Sequence, residues 1–110
     1  MSAISKKDYD AGDMVESIIG CKWSVAVLDA IAADVCRPSD IQRACEGVST
    51  KVLNERLRKL LRFGLVDKHI SPESPPRVEY RLTVIGKKFL PVLEAVRDLQ
   101  CELDQADDNP

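Results

Sequence analysis

The sequence predicts a mostly α-helical domain that carries one small β-hairpin (α+β). Apolar residues recur at helical spacing in most of the chain, while two short stretches near residues 65–70 and 78–82 alternate apolar and polar residues as strands do. A chain of 110 residues with 45% hydrophobic residues ordinarily forms one domain with one modest core. We therefore expect a single domain over residues 13–103, preceded by an N-terminal arm (1–12) and followed by a frayed acidic tail (104–110).

Three helices are predicted in the first half of the chain. Asp13 is expected to cap the first of them, and the second is expected to run from Trp23 to about residue 33 as the central core helix. The third follows Pro38, with Ser39 as its N-cap and Gln42 in the capping-box position. The inward residues expected on these helices are Met14, Val15, Ile18 and Ile19, then Val27, Leu28 and Ile31, then Ile41 and Ala44.

A fourth helix is predicted to begin after Ser49 and to end before Gly64. One side repeats leucines at positions i, i+4, i+7 and i+8, and the other side is polar and basic, as in a helix that lies on a core. Arg56 has a competing interpretation, as a structural cation that pairs with Glu79 or with Glu55. The leucines are Leu53, Leu57, Leu60 and Leu61, and the polar side includes Thr50, Lys51, Asn54 and Arg58.

The hairpin is predicted from "LVDKHI" and "VEYRL", joined by the linker "SPESPPR". Pro75 and Pro76 have no N–H group and restrict the residues before them, so the linker is expected to project as a semi-rigid tip. Arg77 lies at the base of this tip. The sequence thus places a cation on a stiff projection.

The last helix is expected to have Thr83 as its N-cap and to bend or restart near residues 88–90 because of Pro91. Its apolar stripe is longer than a core of this size can cover, which predicts a homodimer through the same helix of a second copy, about residues 84–103. Packing against the first helix is the alternative. The residues expected in the dimer interface are Phe89, Val92, Leu93, Val96 and Leu99.

The charge of the chain is segregated although its net charge is only −2. Residues 49–88 hold ten cations and four acids, a sum of +6, so the remainder carries −8. This distribution is consistent with one electropositive face that binds nucleic acid, or with a solvated surface that binds nothing.

Several classes of function lack support in the sequence. The single histidine, the absence of a phosphate-binding glycine loop and the spacing of the four cysteines give no catalytic constellation and no metal site, and no cofactor is implied. No apolar run is long enough for a membrane span, and no signal-peptide core is present, so we expect a cytoplasmic protein.

A helix, a turn, a polar-faced helix and then a hairpin form the order of elements in a winged helix-turn-helix. Three stretches resemble the HxlR-type transcriptional regulators, small relatives of the MarR winged-helix proteins: "IIGCKWSVAVLDAI", "GVSTKVLNERLRKLLRFGLVDK" and "SPPRVEYRLTVIGKKFLPVLEAV". The resemblance implies a homodimeric DNA-binding regulator, a repressor or an activator, in a family that often responds to small reactive compounds.

The predicted partner is double-stranded DNA with a pseudo-palindromic operator. Asn54 is the best candidate to read adenine, Arg58 to read guanine or bind a phosphate, and Arg77 to anchor the wing. The alternative is a winged-helix module for protein–protein interaction that binds no DNA. The residues predicted to contact DNA are Ser49, Thr50, Lys51, Asn54, Arg58 and Arg77.

The four cysteines are expected to be reduced thiols. Residues 1–20 contain no cysteine, although family members that sense electrophiles or oxidants use one there, so that sensing mechanism has no counterpart at the same place. Cys21 stands where the family usually has a glycine, and beside Lys22 at a helix N-terminus it is either a thiol with a lowered pKa or a buried packing residue. Trp23 is expected in the core, and it is also a candidate wall of a pocket for an unidentified small-molecule effector.

Overall fold

The computed structural model describes residues 10–108, and it shows five helices and one two-stranded antiparallel sheet within that range. The predicted mostly helical fold with a β-hairpin is confirmed. None of the helices within residues 10–108 is long and apolar enough to cross a membrane. The elements are α1 (Ala11–Ile19), α2 (Lys22–Ala32), α3 (Pro38–Ala44), α4 (Thr50–Arg62), β1 (Val66–Ile70), β2 (Val78–Leu82) and α5 (Val84–Asp108).

Helix α1 begins earlier than predicted, because its N-cap is Asp10 and not Asp13. The Asp10 carboxylate accepts the Asp13 N–H at 2.9 Å, and the Asp13 carboxylate accepts the Asp10 N–H at 3.1 Å. This reciprocal pair satisfies two N–H groups that the first helical turn leaves without partners. The helical domain therefore starts at residue 11, and residues 1–9 of the predicted arm lie outside the described residues.

Helix α3 also begins differently from the prediction. Arg37 is its N-cap, without a side-chain capping bond, and Pro38 occupies the first turn, so Ser39 lies inside the helix. Proline suits this place because its fixed φ is helical and its missing N–H would have had no partner there. Ala44, predicted to face inward, is exposed, and Cys45 is buried in its place.

The core lies between α2 and α4, with contributions from every other element. Helix α2 packs on α1, α3, α4 and β2, so it is the central helix, as predicted. The residues that are buried include Ile18 on α1; Val27, Leu28 and Ile31 on α2; Ile41 on α3; Leu53, Leu57 and Leu60 on α4; and Phe63, Leu65, Val66 and Tyr80 around the hairpin.

The hairpin is fastened to the helices at its open end. In the register of the two strands, Val66 pairs with Leu82 and Ile70 with Val78. The Thr83 hydroxyl donates to the Gly64 carbonyl at 2.6 Å and accepts the Gly86 N–H at 3.0 Å, which confirms Thr83 as the cap of α5. A β-carbon on Gly86 would lie 2.1 Å from the Leu65 carbonyl oxygen, so only glycine permits this approach of α5 to the strand.

Helix α5 is one continuous helix through Pro91, so the expected restart does not occur. Its helical conformation extends to Asp108, and the expectation of a frayed tail is wrong for residues 104–108. Phe89 and Leu93 are only 5% and 2% exposed and pack in the core of their own chain, which corrects their assignment to the dimer interface. The apolar residues that α5 leaves exposed are Val84, Ile85, Val92, Val96, Leu99 and Leu103.

Candidate nucleic-acid interface

Helix α4 is positioned by its leucines and by its first residue. Leu53, Leu57 and Leu60 are at most 2% exposed, which orients the helix with its opposite side toward solvent. The Ser49 hydroxyl accepts the Val52 N–H at 3.1 Å, so Ser49 is the N-cap that the sequence predicted. The N-terminal half of α4 is therefore a rigid, accessible surface.

The side chains on that surface are available for an outside partner. Lys51, Asn54 and Arg58 are exposed, and none of them takes part in an ion pair or side-chain hydrogen bond with the other residues between 10 and 108. Thr50 is also exposed, although its hydroxyl accepts a hydrogen bond from Gln42 at 3.2 Å. Two cations and an amide thus share one helix surface and form no ion pair or side-chain hydrogen bond with the described part of the chain.

Gln42 fixes the turn between α3 and α4, a role that the sequence analysis did not assign to it. Its side-chain amide donates to the Val48 carbonyl at 3.3 Å as well as to Thr50. Within this turn Gly47 has a φ of +94°, which a residue with a side chain rarely adopts, and Val48 is buried. The angle between the two helices is consequently held by a side-chain contact, a glycine and a core residue.

Two other cations of α4 are directed toward the body of the protein. Arg56 lies 3.7 Å from Glu55, so of its two predicted partners the structure selects Glu55, and its Nε atom is buried without a partner among residues 10–108. The Lys59 ammonium donates to the Ser17 carbonyl at 2.8 Å, which joins α4 to α1. Arg56 and Lys59 therefore interact with residues of their own chain, whereas Lys51 and Arg58 have no such partner among residues 10–108.

The wing tip is held by a small network around Ser71. The Ser71 hydroxyl donates to the Glu73 carboxylate at 2.8 Å, and the Ser71 N–H donates to the Arg77 carbonyl at 2.8 Å. Arg77 is exposed, and its guanidinium lies 3.9 Å from Glu73. Such an exposed pair is weak, so the Arg77 side chain can exchange this carboxylate for another anion.

Arg37 is a further cation of this region, and it was not among the residues predicted to contact DNA. It lines, together with Pro38 and Ser39 of α3, an open groove whose other wall is the wing tip from Glu73 to Val78. The pKa of Glu79 is lowered by its hydrogen bond from Arg81 and further by the charges of Arg81, Arg37 and Arg77. Only the tertiary fold brings Arg37 beside the wing, since it lies outside the basic segment 49–88.

The two residues considered for an effector lie at the start of α2. Trp23 is half-buried against the core, and the Lys22 ammonium lies 5.4 Å from the centre of its ring. Cys21 is the N-cap of α2, and all four cysteines are unpaired. No group of three or more His, Cys, Asp or Glu residues that could hold a metal ion occurs between residues 10 and 108.

The chain also matches a protein-family model. Residues 18–107 match the family model described as HxlR-like helix-turn-helix. A protein of Synechocystis described as an uncharacterized HTH-type transcriptional regulator is 40% identical over 85 residues, covering 77% of this chain and 63% of its own length. A second, from Methanothermobacter thermautotrophicus and described in the same words, is 40% identical over 78 residues, covering 71% of this chain and 60% of its own. The chain thus spans under two thirds of these relatives.

Solved structures with the same architecture are also similar to this chain. A protein of Enterococcus faecalis described as a transcriptional regulator of the MarR family superposes with a TM-score of 0.77 and 27% identity, and each chain is covered completely. The regulator YtfH of Salmonella typhimurium superposes with a TM-score of 0.69 and 32% identity over 87% of either chain. The hairpin following α4 is therefore the wing of a winged helix.

Proposed function

The chain belongs to the HxlR-like helix-turn-helix family of transcriptional regulators, and on that premise we propose that it binds a pseudo-palindromic operator in double-stranded DNA as a homodimer. The observation that carries the proposal is the exposed first half of α4, where Lys51, Asn54 and Arg58 have no partner among the described residues. A regulator of this kind acts in the cytoplasm, where its operator is. The position of the operator relative to the promoter decides between repression and activation.

Helix α4 is the element proposed to enter the major groove. A helix with side chains is about 10 to 12 Å wide, which suits that groove, and the residues near its N-terminus reach the base edges. Asn54 is suited to two hydrogen bonds with adenine, and Arg58 to guanine or a phosphate. Ser49, Thr50 and Lys51, at the start of the helix, are proposed to contact the adjoining phosphates, where the positive end of the helix dipole adds attraction.

The wing supplies a second, sequence-independent contact in this proposal. Arg77 projects from a tip held by the Ser71 network, and its present partner Glu73 is exposed and 3.9 Å away. A phosphate binds a guanidinium through two parallel hydrogen bonds, which the carboxylate at that distance does not form. Arg37, across the groove from the wing tip, is proposed to bind a phosphate of the same backbone.

The homodimer is proposed to form through the exposed apolar side of α5. Val92, Val96, Leu99 and Leu103 recur at intervals of four, three and four residues, and they are 41%, 37%, 56% and 52% exposed. This spacing puts them on one side of the helix, where a second copy of the same helix can cover them. A symmetric pair would present two α4 helices to half-sites about 34 Å apart.

Duplex binding at two salt concentrations tests the proposal. The protein is titrated against a library of duplexes to select an operator, and the affinity is then measured at 50 and 200 mM salt. A dimer with roughly 6 to 10 phosphate contacts is expected to lose about 10³ to 10⁵ in affinity over this range. The protein's cations release counterions from the DNA when it binds, and added salt opposes that release. Absence of binding at 50 mM salt would contradict DNA recognition and favour a module for protein–protein interaction.

A further inference from the structure

Four cations of α4 line an open pocket of about 460 Å³ between that helix and the end of α1. Pockets that bind small molecules have volumes of about 300 to 1,000 Å³, so this one is large enough for a ligand. Glu55 is the one carboxylate in its lining, which leaves a sum of +3. The residues that line the pocket are Ser17, Glu55, Arg56, Arg58, Lys59 and Arg62.

Lys59 holds the two walls of this pocket together. Its ammonium donates to the Ser17 carbonyl at 2.8 Å, and Ser17 lies in the last turn of α1, which has no basic residue of its own. The carbonyl end of a helix carries partial negative charge and would repel an anion. Lys59 offsets that charge with one of its three donors, and the other two stay available to a ligand.

Arg56 has fewer hydrogen-bond partners than its guanidinium can use. Its terminal nitrogen lies 3.7 Å from Glu55, which is too long for a hydrogen bond, and its Nε atom is buried without a partner among residues 10–108. Buried polar groups in proteins are nearly always paired. A cation short of acceptors in the wall of a positively charged pocket indicates that an anion belongs there.

Arg58 and Arg62 form the outer wall of the pocket. Both are exposed, and neither forms an ion pair or side-chain hydrogen bond within the described range. They are four residues apart, so they lie on the same side of α4 in successive turns, where two like charges repel each other. An anion shared between them removes that repulsion, and each guanidinium can give a phosphoryl group two parallel hydrogen bonds.

We propose that this pocket binds a small molecule with more than one phosphoryl group. Arg58 and Arg62 bind its oxygens through paired hydrogen bonds, and Lys59 and Arg56 add charge from the inner walls. A ligand with a single carboxylate would leave most of these donors without an acceptor. Two phosphoryl groups supply both the oxygens and the negative charge that the four cations require.

Calorimetric titration of the full chain with inorganic pyrophosphate, without DNA and at constant ionic strength, tests the site directly. We expect saturable binding with one site per chain. Arg62→Gln should weaken it about tenfold or more, since charged hydrogen bonds are lost. Arg62 is exposed and has no partner in the described chain, so its replacement should leave the fold intact. Lys88→Gln, which removes an exposed cation of α5 outside the pocket, should bind pyrophosphate as the unchanged protein does.

Glu55→Gln gives the opposite prediction, because it removes the carboxylate from the lining while keeping the size of the side chain. Pyrophosphate should then bind several-fold more tightly, and a thermal unfolding curve checks that the variant is folded. Absence of saturable binding to the unchanged protein overturns the proposal. Equal weakening by Arg62→Gln and Lys88→Gln also overturns it, since binding would then follow the overall charge and not this pocket.

Occupation of the pocket should also weaken operator binding, a consequence that rests on the proposed function, because Arg58 belongs to both surfaces. Saturating pyrophosphate is expected to lower the operator affinity several-fold relative to sodium chloride of equal ionic strength, and Arg62→Gln should abolish this difference. Bound pyrophosphate without any effect on operator affinity overturns the link. No operator binding by the untreated protein counts against the proposed function alone, since the calorimetry contains no DNA. If pyrophosphate does not bind while Arg62→Gln weakens DNA binding, the pocket serves the DNA backbone and the small-molecule site is wrong.

Discussion

Helices α4 and α5 both have an apolar side, but they leave opposite kinds of surface exposed. In α4 the leucines are buried by the chain itself and the uncovered residues are polar, Lys51, Asn54 and Arg58 among them. In α5 Phe89 and Leu93 are buried in the core of their own chain, while Val92, Val96, Leu99 and Leu103 form an exposed apolar stripe. A free polar surface suits a charged, hydrated partner such as DNA, and an uncovered apolar stripe suits another protein surface.

The contacts that hold α4 and α5 to the rest of the chain agree with this difference between their exposed surfaces. Helix α4 is held by its core residues and by Lys59, which donates to the Ser17 carbonyl. Helix α5 is tied to α2 by Arg97, which pairs with Asp29 and lies 2.9 Å from Glu94. The pKa of Arg97 is raised, chiefly by its hydrogen bond with Asp29. The apolar stripe of α5 is therefore presented from a fixed orientation, as an interface between two copies requires.

The largest expected effect comes from placing a charge on the apolar stripe. Val96→Asp is expected to separate the dimer, because two carboxylates would meet in an interface that offers them no partner. Loss of the dimer removes simultaneous binding of two half-sites, which is worth about 10² to 10⁴ in affinity. Sedimentation should show half the mass of the unchanged protein.

The control for this substitution is Cys101→Asp, which adds the same charge on the opposite side of α5. It should leave both the mass and the operator affinity unchanged. A Val96→Asp protein that sediments at the unchanged mass would contradict the assignment of the interface to α5. Dissociation by both variants alike would instead place the interface on more than one side of the helix.

A smaller effect is expected on the polar surface of α4. Asn54→Ala removes a side chain that has no partner in the described part of the chain, so folding should be unaffected, while recognition of one base pair per half-site is lost. The expected cost is about 1 to 3 kcal/mol per half-site on the operator and nearly nothing on random duplexes. Competition between the two kinds of duplex measures the difference.

Gln105→Ala provides the matched control, since it truncates an exposed side chain with a terminal amide on the side of α5 opposite Val96. It should bind both kinds of duplex as the unchanged protein does. Equal losses on operator and random DNA for Asn54→Ala would contradict base reading by Asn54 and make it a backbone contact.

The sequence was sufficient to predict α4, and the reason is local. The spacing of Leu53, Leu57 and Leu60 and the cap at Ser49 are properties of one segment, and the structure agrees with each. The caps of α1 and α3 were predicted wrongly because more than one residue near the start of each helix is suited to be the cap. Asp10 and Asp13 can both cap a helix, and Pro38 fixes the helical start before Ser39.

The uncovered part of α5 could not be located from spacing alone. Phe89 and Leu93 belong to the same stripe as Val96 and Leu99, and what distinguishes them is the position of the rest of the chain beneath the first half of the helix. Arg37 was missed for a similar reason, since its neighbourhood with the wing is created by packing of α3 against β2. Properties that depend on tertiary contacts were thus the ones that sequence patterns did not reveal.

The smallest expected effect comes from substitutions in the wing. They test whether α4 contacts the bases while the wing contacts only the phosphates. Arg77→Ala should weaken operator and random duplexes by the same factor, because a phosphate contact carries no sequence information. The slope of log affinity against log salt should become shallower by about 1 for each Arg77 lost, or about 2 for the dimer. Glu73→Gln is the opposing variant: it removes the negative charge 3.9 Å from Arg77, keeps a side-chain oxygen that can accept the Ser71 hydroxyl, and should strengthen both duplexes alike. A preference for operator over random DNA that changes with either variant would show that the wing reads sequence, and the division between α4 and the rest of the interface would then be wrong.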